Sequence, residues 1–261
     1  MPTLCPYNGP SARICAELSN LIYRNPVEIK ERVGTLVANA KVTLHNISVG
    51  NSRICVVSGE KEIFVIFRGT VKKSPRSIIA NLRVTRTRWG NGLVHRGFLK
   101  LFLAAAPFIH QALRDYDYKV EAKDEVETRK LYFTGHSQGG ATAYIAALIF
   151  ARGMQSPKAN AIYTFGQPRA GDAEFSRDAE KRLRIGLSRI TNGRDIIVGV
   201  PFVWNGYDHT RDYFHYGQNR LLTRRALMAG QELPFFNACV GDHDMVKYLC
   251  RSQVNEHLPP P

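Results

Sequence analysis

The residues able to do covalent chemistry in this 261-residue chain begin with a serine set between two glycines. Gly135-His136-Ser137-Gln138-Gly139 follows a short apolar run, Leu131 to Thr134, and precedes Ala141 to Phe150, which is small or apolar on every side. Strand, sharp turn and buried helix with a serine at the apex is the nucleophile-elbow arrangement, in which a strained turn lifts a hydroxyl above the carboxyl end of a sheet strand. Side chains at 135 and 139 would collide with neighbouring backbone in so tight a turn, which is the reason for glycine at both. A serine hydroxyl is a weak nucleophile until an imidazole takes its proton, and the imidazole needs a carboxylate to fix its tautomer. On an elbow scaffold both partners lie downstream, the acid before the histidine.

Asp195 fits the acid, because it follows an apolar run and a turn, Leu187 to Gly193. Asp172 also follows a strand-like run, but it sits where the next helix starts and an acid is expected there as a cap. Four histidines lie beyond Asp195: His209, His215, His243 and His257. His257 is in a proline-ended tail, and His215 lies inside a strand-like run, Tyr213 to Tyr216. His209 and His243 are both on loops, and His243 is preferred because a helix follows at once and would hold it rigidly. The tetrahedral oxygen of acyl transfer needs backbone N–H donors. Gln138 supplies one by following the nucleophile, and Gly69-Thr70, at the end of the apolar run Ile63 to Phe67, stands where the other is expected. Thr70 also offers its hydroxyl.

The elements that must position these groups read as one α/β domain over residues 1–261. Two helices are expected first, Ser11 to Arg24 and Pro26 to Ala40, then three strands, Lys41 to Val49, Arg53 to Val57 and Glu62 to Arg68. Ile63 to Phe67 is unbroken and apolar, as a strand buried on both faces should be. A helix is expected from His95 to Tyr116, with Phe98, Leu101, Phe102 and Phe108 on one face and a kink at Pro107. Asp117 to Arg129, rich in acids, reads as a solvated connector. Further strands at Ala159 to Phe165 and Leu187 to Thr191, helices at Ala173 to Arg182 and Asp242 to Cys250, and a hairpin at Tyr213 to Leu222 complete the chain. Alternating strands and helices argue for a mostly parallel sheet.

The net charge is +14, and no acidic residue lies between Ile63 and Arg114, where ten lysines and arginines fall. Such a one-signed field favours anionic partners. Nucleic acid has no recognition motif here and is not expected; an anionic lipid surface is, at about 1 kcal/mol per basic residue near such a membrane. No window is long and apolar enough to span a bilayer. The start, with Pro2, Pro6 and Pro10 and no apolar core, does not read as a secretory signal, which is expected of a chain that stays in the cytoplasm or leaves by a non-classical route. Five thinly spread cysteines argue for free thiols.

Several stretches together resemble the class 3 lipases, the fungal triacylglycerol lipase-like family. Phe67-Arg68-Gly69-Thr70 is similar to that family's oxyanion strand end, Val94 to Phe98 to its V-H-x-G-F, Gly135 to Gly140 to its G-H-S-x-G-G, and Thr164 to Asp172 to its T-F-G-x-P-R-x-G-D. Asn192 to Ile197 resembles the loop of the triad aspartate, His215-Tyr216-Gly217 a structural H-x-G, and Asp242-His243 with Tyr248-Leu249 the region of the catalytic histidine. The resemblance implies an α/β-hydrolase fold with helices on both faces and a lid or interfacial segment over residues 71–92. It implies hydrolysis of lipid carboxylic esters through an acyl-enzyme, with Ser137, Asp195 and His243 as triad and Thr70 and Gln138 as oxyanion donors, and no cofactor or metal. It singles out Asp195 and His243 and sets His209 and His215 aside. Where members carry a tryptophan and an aspartate in the lid, this chain reads Ser77 to Leu82 flanked by arginines, and Pro201 comes later after Asp195 than is usual. The alternative, a non-catalytic lipid- or partner-binding module on the same scaffold, is expected to have lost a triad member or an elbow glycine, and none is missing.

Overall fold

The computed structural model describes residues 8–71, 85–116, 119–121, 126–153, 159–183, 186–209, 214–216, 221–223 and 240–254. Helices α1 (Gly9–Leu21) and α2 (Pro26–Leu36) open it. Each is started by an asparagine whose side chain accepts a backbone N–H three residues on, Asn8 from Ser11 and Asn25 from Glu28, with proline in the first turn. Strands β1 (Lys41–Ile47), β2 (Ser52–Ser58) and β3 (Glu62–Phe67) follow as an antiparallel set. A separate pair, β4 (Arg86–Trp89) and β5 (Gly92–His95), leads into α3 (Arg96–Asp115). Then come β6 (Lys119–Glu121), β7 (Val126–Thr128), β8 (Lys130–His136), α4 (Gln138–Arg152), β9 (Ala161–Phe165), α5 (Ala173–Arg182) and β10 (Leu187–Asn192). The short β11 (Phe214–Tyr216) and β12 (Leu221–Thr223) precede α6 (Met245–Val254).

Among the described residues the main sheet has eight strands in the order β1-β2-β3-β8-β9-β10-β11-β12. From β3 to β11 every neighbouring pair is parallel, so the carboxyl ends of β8, β9 and β10 come out along one edge. Both faces are apolar, as the unbroken run in β3 requires. Ile63, Val65 and Phe67 of β3, with Leu131 and Phe133 of β8, pack on one side against α3 and α4. The alternate residues Phe64, Ile66 and Tyr132 face the opposite core with α1, α2 and α6. This period-two partition buries β3 and β8 between two helical layers. The architecture is the α/β-hydrolase fold with helices on both faces.

Three expectations change. The acidic stretch 117–129 carries the antiparallel pair β6–β7, in which Val120 faces Glu127 and Glu121 faces Val126; its charge masks a short alternation of strand-forming residues. Phe108 lies at the rim of the apolar face of α3, 40% exposed and stacked on His45. The buried set is Phe98, Leu99, Leu101, Phe102, Ala105, Ile109, Ala112 and Leu113, a helical stripe with position 108 at its rim. Within residues 71–92, Arg86 to Trp89 is a strand tied to the body through β5, whereas residues 72–84, the centre of the expected lid, lie outside the described residues. Cys15, Cys55 and Cys250 are free thiols, and Cys5 and Cys239 lie outside the described residues.

Candidate active site

The elbow is built by backbone contact. Ser137 sits between β8 and α4 with φ 58° and ψ −128°, a conformation that non-glycine residues hold only when their surroundings enforce it. Its own N–H donates to the Phe165 carbonyl at 2.9 Å, which ties it to the end of β9. A Cβ on Gly139 would stand 2.0 Å from the Phe67 carbonyl oxygen, and one on Gly135 would stand 2.5 Å from Gly139. The start of α4 therefore rests directly on the end of β3, and glycine is obligatory at both positions.

Asp195 and His243 converge on this point from separate loops. Asp195 follows the turn after β10, 3 residues beyond its last residue, Asn192. His243 ends a short 3-10 turn, Val240–His243, just before α6. His243 Nδ1 lies 2.8 Å from Asp195 Oδ2, with both side chains buried. Asp195 is held by two more donors, the Ile197 N–H on Oδ1 at 2.8 Å and the Tyr248 hydroxyl on Oδ2 at 2.7 Å. Burial, and then the facing Asp195 charge, push the Tyr248 phenol well above its ordinary value, which keeps it a donor. A carboxylate oxygen can only accept, so His243 Nδ1 carries a proton and Nε2 is the free lone pair. Among the described residues, His243 Nε2 and Ser137 Oγ are both buried and neither has a hydrogen-bond partner. The two loops are adjacent: the imidazole of His136, next in chain to Ser137, lies 4.6 Å from that of His243.

The expected oxyanion donors also meet. Gln138 is the first residue of α4, so its N–H has no carbonyl within the helix to donate to. The Thr70 hydroxyl donates to Gln138 Oε1 at 2.8 Å, which links the two candidates and commits the hydroxyl to that amide.

Beneath them runs a chain of hydrogen bonds that sequence reasoning missed. The Gly69 N–H donates to the Tyr23 hydroxyl at 3.1 Å, that hydroxyl lies 3.2 Å from His136 Nδ1, and His136 Nε2 lies 2.8 Å from the His243 carbonyl. The carbonyl only accepts, so His136 Nε2 must hold its proton and Nδ1 must accept from Tyr23. Every link then has one direction, from the Thr70 loop to the backbone of His243. Burial first, and the neighbouring His243 second, hold the His136 pKa well below 6.5, so the ring is neutral as the chain requires. Tyr23 lies 113 residues from His136, a separation at which no local pattern exists. Tyr248 had a weak local signal, one turn into the helix after His243.

The other candidates fall elsewhere. Asp172 caps α5, accepting from the Phe175 N–H at 2.8 Å and from the Leu93 N–H at 3.0 Å. His209 Nε2 is engaged by the Val198 carbonyl at 2.6 Å. His215 lies within β11, and His257 is outside the described residues.

A model of the family described as Lipase (class 3) matches residues 64–204. The chain is 30% identical over 169 residues to a lipase of Rhizomucor miehei, an alignment covering 63% of this chain and 44% of that protein. It is 28% identical over 158 residues to the chloroplastic phospholipase A(1) DAD1 of Arabidopsis thaliana, covering 56% of this chain and 35% of that one. The chain thus spans less than half the length of these curated relatives. The lipase of Rhizopus microsporus var. chinensis superposes with a TM-score of 0.74 over 92% of this chain and 88% of that one at 23% identity, a likeness of fold. With more than half of its residues matched by the family model, the chain belongs to the class 3 lipase family.

Proposed function

We propose that the protein hydrolyses carboxylic esters of lipids, with Ser137 as nucleophile, His243 as general base and Asp195 as the acid that orients it. The observation that carries this reading is the pair of buried, unpartnered atoms: the Asp195–His243 bond fixes a free lone pair on Nε2, and Ser137 Oγ is the matching unpartnered hydroxyl. Oγ attacks the ester carbonyl carbon while its proton passes to Nε2. The tetrahedral oxygen draws on backbone N–H groups at Gln138 and Thr70. Collapse breaks the carbon–oxygen bond to the alcohol, which leaves with the proton from Nε2. Water then attacks the acyl-enzyme, gives its proton to Nε2, and the fatty acid departs as Ser137 recovers its hydrogen. Asp195 holds the imidazole in orientation and stabilises the transient imidazolium.

Lipid esters are favoured as substrate by the names of the relatives, one a lipase and one a phospholipase A1. The basic segment from Lys72 to Arg88 is assigned to contact with an anionic lipid surface, on the ground that no acid occurs from Ile63 to Arg114. Equal binding to neutral and anionic vesicles at low salt counts against that assignment. The substrate test is a panel of p-nitrophenyl esters, triacylglycerol and anionic phospholipid, run with the unmodified chain and with Ser137→Ala. Ester cleavage lost in the variant is expected, and a panel on which the chain cleaves nothing sinks the reading.

A further inference from the structure

Seven large apolar side chains are exposed among the described residues, and only two of them, Val203 and Trp204, are adjacent in sequence. Trp204 is 73% exposed and Val203 55% exposed. Phe202 stacks on Trp204 at 4.3 Å and 13°, so the tip is a small apolar platform and not a lone ring. It sits on a 3-10 turn, Val203–Asn205.

This platform is held from several sides. Asn205 N–H donates to the Phe202 carbonyl at 3.0 Å and Gly206 N–H to the Val203 carbonyl at 2.8 Å. Arg169 donates to the carbonyls of Gly199 and Pro201. Arg86 donates to the Gly206 carbonyl at 2.8 Å and lies over the Tyr207 ring at 5.5 Å. A loop pinned this way presents its apolar tip in a fixed direction. The tip also belongs to the segment that leaves β10 through Asp195, the edge of the sheet where the candidate triad lies.

The surroundings select the occupant. Arg86 and Arg88 are both exposed and stand two apart on β4, on one side of the strand. In sequence β4 continues back into Lys72, Lys73, Arg76 and Arg83, in a chain of net charge +14. A rigid indole and a β-branched side chain beside a row of arginines suit the level of the headgroups of an anionic bilayer, where aromatic rings partition and basic residues meet the surface charge.

We propose that Phe202, Val203 and Trp204 form the apolar anchor by which the protein seats on an anionic phospholipid surface, with Arg86 and Arg88 supplying the attraction beside it. The proposal rests on the lipid-ester reading of the site and adds the element that enters the lipid. The chain has two tryptophans, and the other, Trp89, is half-buried under the Arg152 guanidinium at 4.2 Å. Trp204 is therefore a native reporter.

The test mixes the full chain with vesicles of ether-linked phosphatidylglycerol or ether-linked phosphatidylcholine, neither of which an esterase can cleave. With phosphatidylglycerol, tryptophan emission shifts to the blue and is quenched by lipid brominated near the headgroup. Trp204→Phe abolishes both effects. Trp204→Ala lowers the vesicle partition coefficient roughly tenfold or more, while hydrolysis of a water-soluble p-nitrophenyl ester stays within twofold. Unchanged emission, equal partition by Trp204→Ala, or equal binding to the two lipids overturns the proposal. So does a dimer in lipid-free solution that Trp204→Ala dissolves, which makes a second copy the occupant. Absence of ester cleavage by the unmodified chain counts against the site reading alone, because the binding readouts need no turnover.

Discussion

Gly166 lies directly behind the Asp195–His243 pair, and replacing it with alanine is the sharpest perturbation of the site that leaves every reacting group in place. Its φ is +58°, and a Cβ there would stand 2.8 Å from Asp195 Oδ2, 3.0 Å from His243 Nδ1 and 3.1 Å from His243 Cε1. Ordinary contacts of carbon with such atoms begin near 3.5 Å, so the pair must retreat by about half an ångström. Its hydrogen bond, 2.8 Å long, is the element that orients Nε2. A misplacement of about 1 Å can lower turnover by roughly 10²-fold, so about tenfold is expected for half of that. The left-handed backbone adds about 1–2 kcal/mol of destabilisation for a residue with a Cβ, a loss of roughly 2–8 °C in Tm for a chain of this size. The assay is kcat/KM on p-nitrophenyl butyrate beside thermal unfolding. A Gly166→Ala variant that turns over within threefold of the unmodified chain refutes the claim that this pair carries the reaction.

Tyr23→Phe removes one link of the chain beneath the oxyanion loop and leaves the Gly69 N–H and His136 Nδ1 without partners. At about 1–3 kcal/mol for each buried unsatisfied group, unfolding should be easier by roughly 2–6 kcal/mol and kcat about tenfold lower. An unchanged Tm in calorimetry would remove the chain from the account. Gly34→Ala has the opposite sign: no atom lies within 4 Å of its would-be Cβ in α2, so about 0.5–1 kcal/mol of stabilisation is expected, read as a higher urea midpoint. Buried, neutral His136 has a folded pKa below its unfolded 6.5, so its contribution is complete above pH 6.5 and is lost as pH falls below it, at about 1.4 kcal/mol per pH unit. Two carboxylates also have folded pKa values below their ordinary 3.8. At Asp178 burial pushes up but hydrogen bonds from Arg152 and Arg182 win; at Asp242 burial pushes up but the Arg194 N–H and Lys247 win. Their contributions are lost only below about pH 4, so a decline in Tm between pH 6.5 and 5 reports His136 together with His209 and His110, whose pKa values burial also lowers, and a flat profile there contradicts their burial.

What the sequence made legible was whatever one strand or one turn encodes. The apolar run Ile63 to Phe67 announces a strand covered on both faces, and the glycines around Ser137 announce a turn pressed on neighbouring backbone. The order serine, acid, histidine left two acids and two loop histidines open, and the resemblance to the class 3 lipases narrowed them to the pair found 2.8 Å apart. The supporting contacts were hidden because they join residues far apart in the chain. Tyr23 reaches Gly69 and His136 only after α1 packs across the sheet, and Gly166 matters only once β9 and β10 bring their ends together. Strand β6 was missed for a different reason, since acidic residues dominate a stretch too short to show its alternation.

The most direct test of the central claim is labelling with a fluorophosphonate probe at neutral pH, followed by mass mapping of the modified peptide. The account predicts one adduct on Ser137, absent in Ser137→Ala and slowed in Gly166→Ala. No adduct, or an adduct that persists in Ser137→Ala, would contradict it.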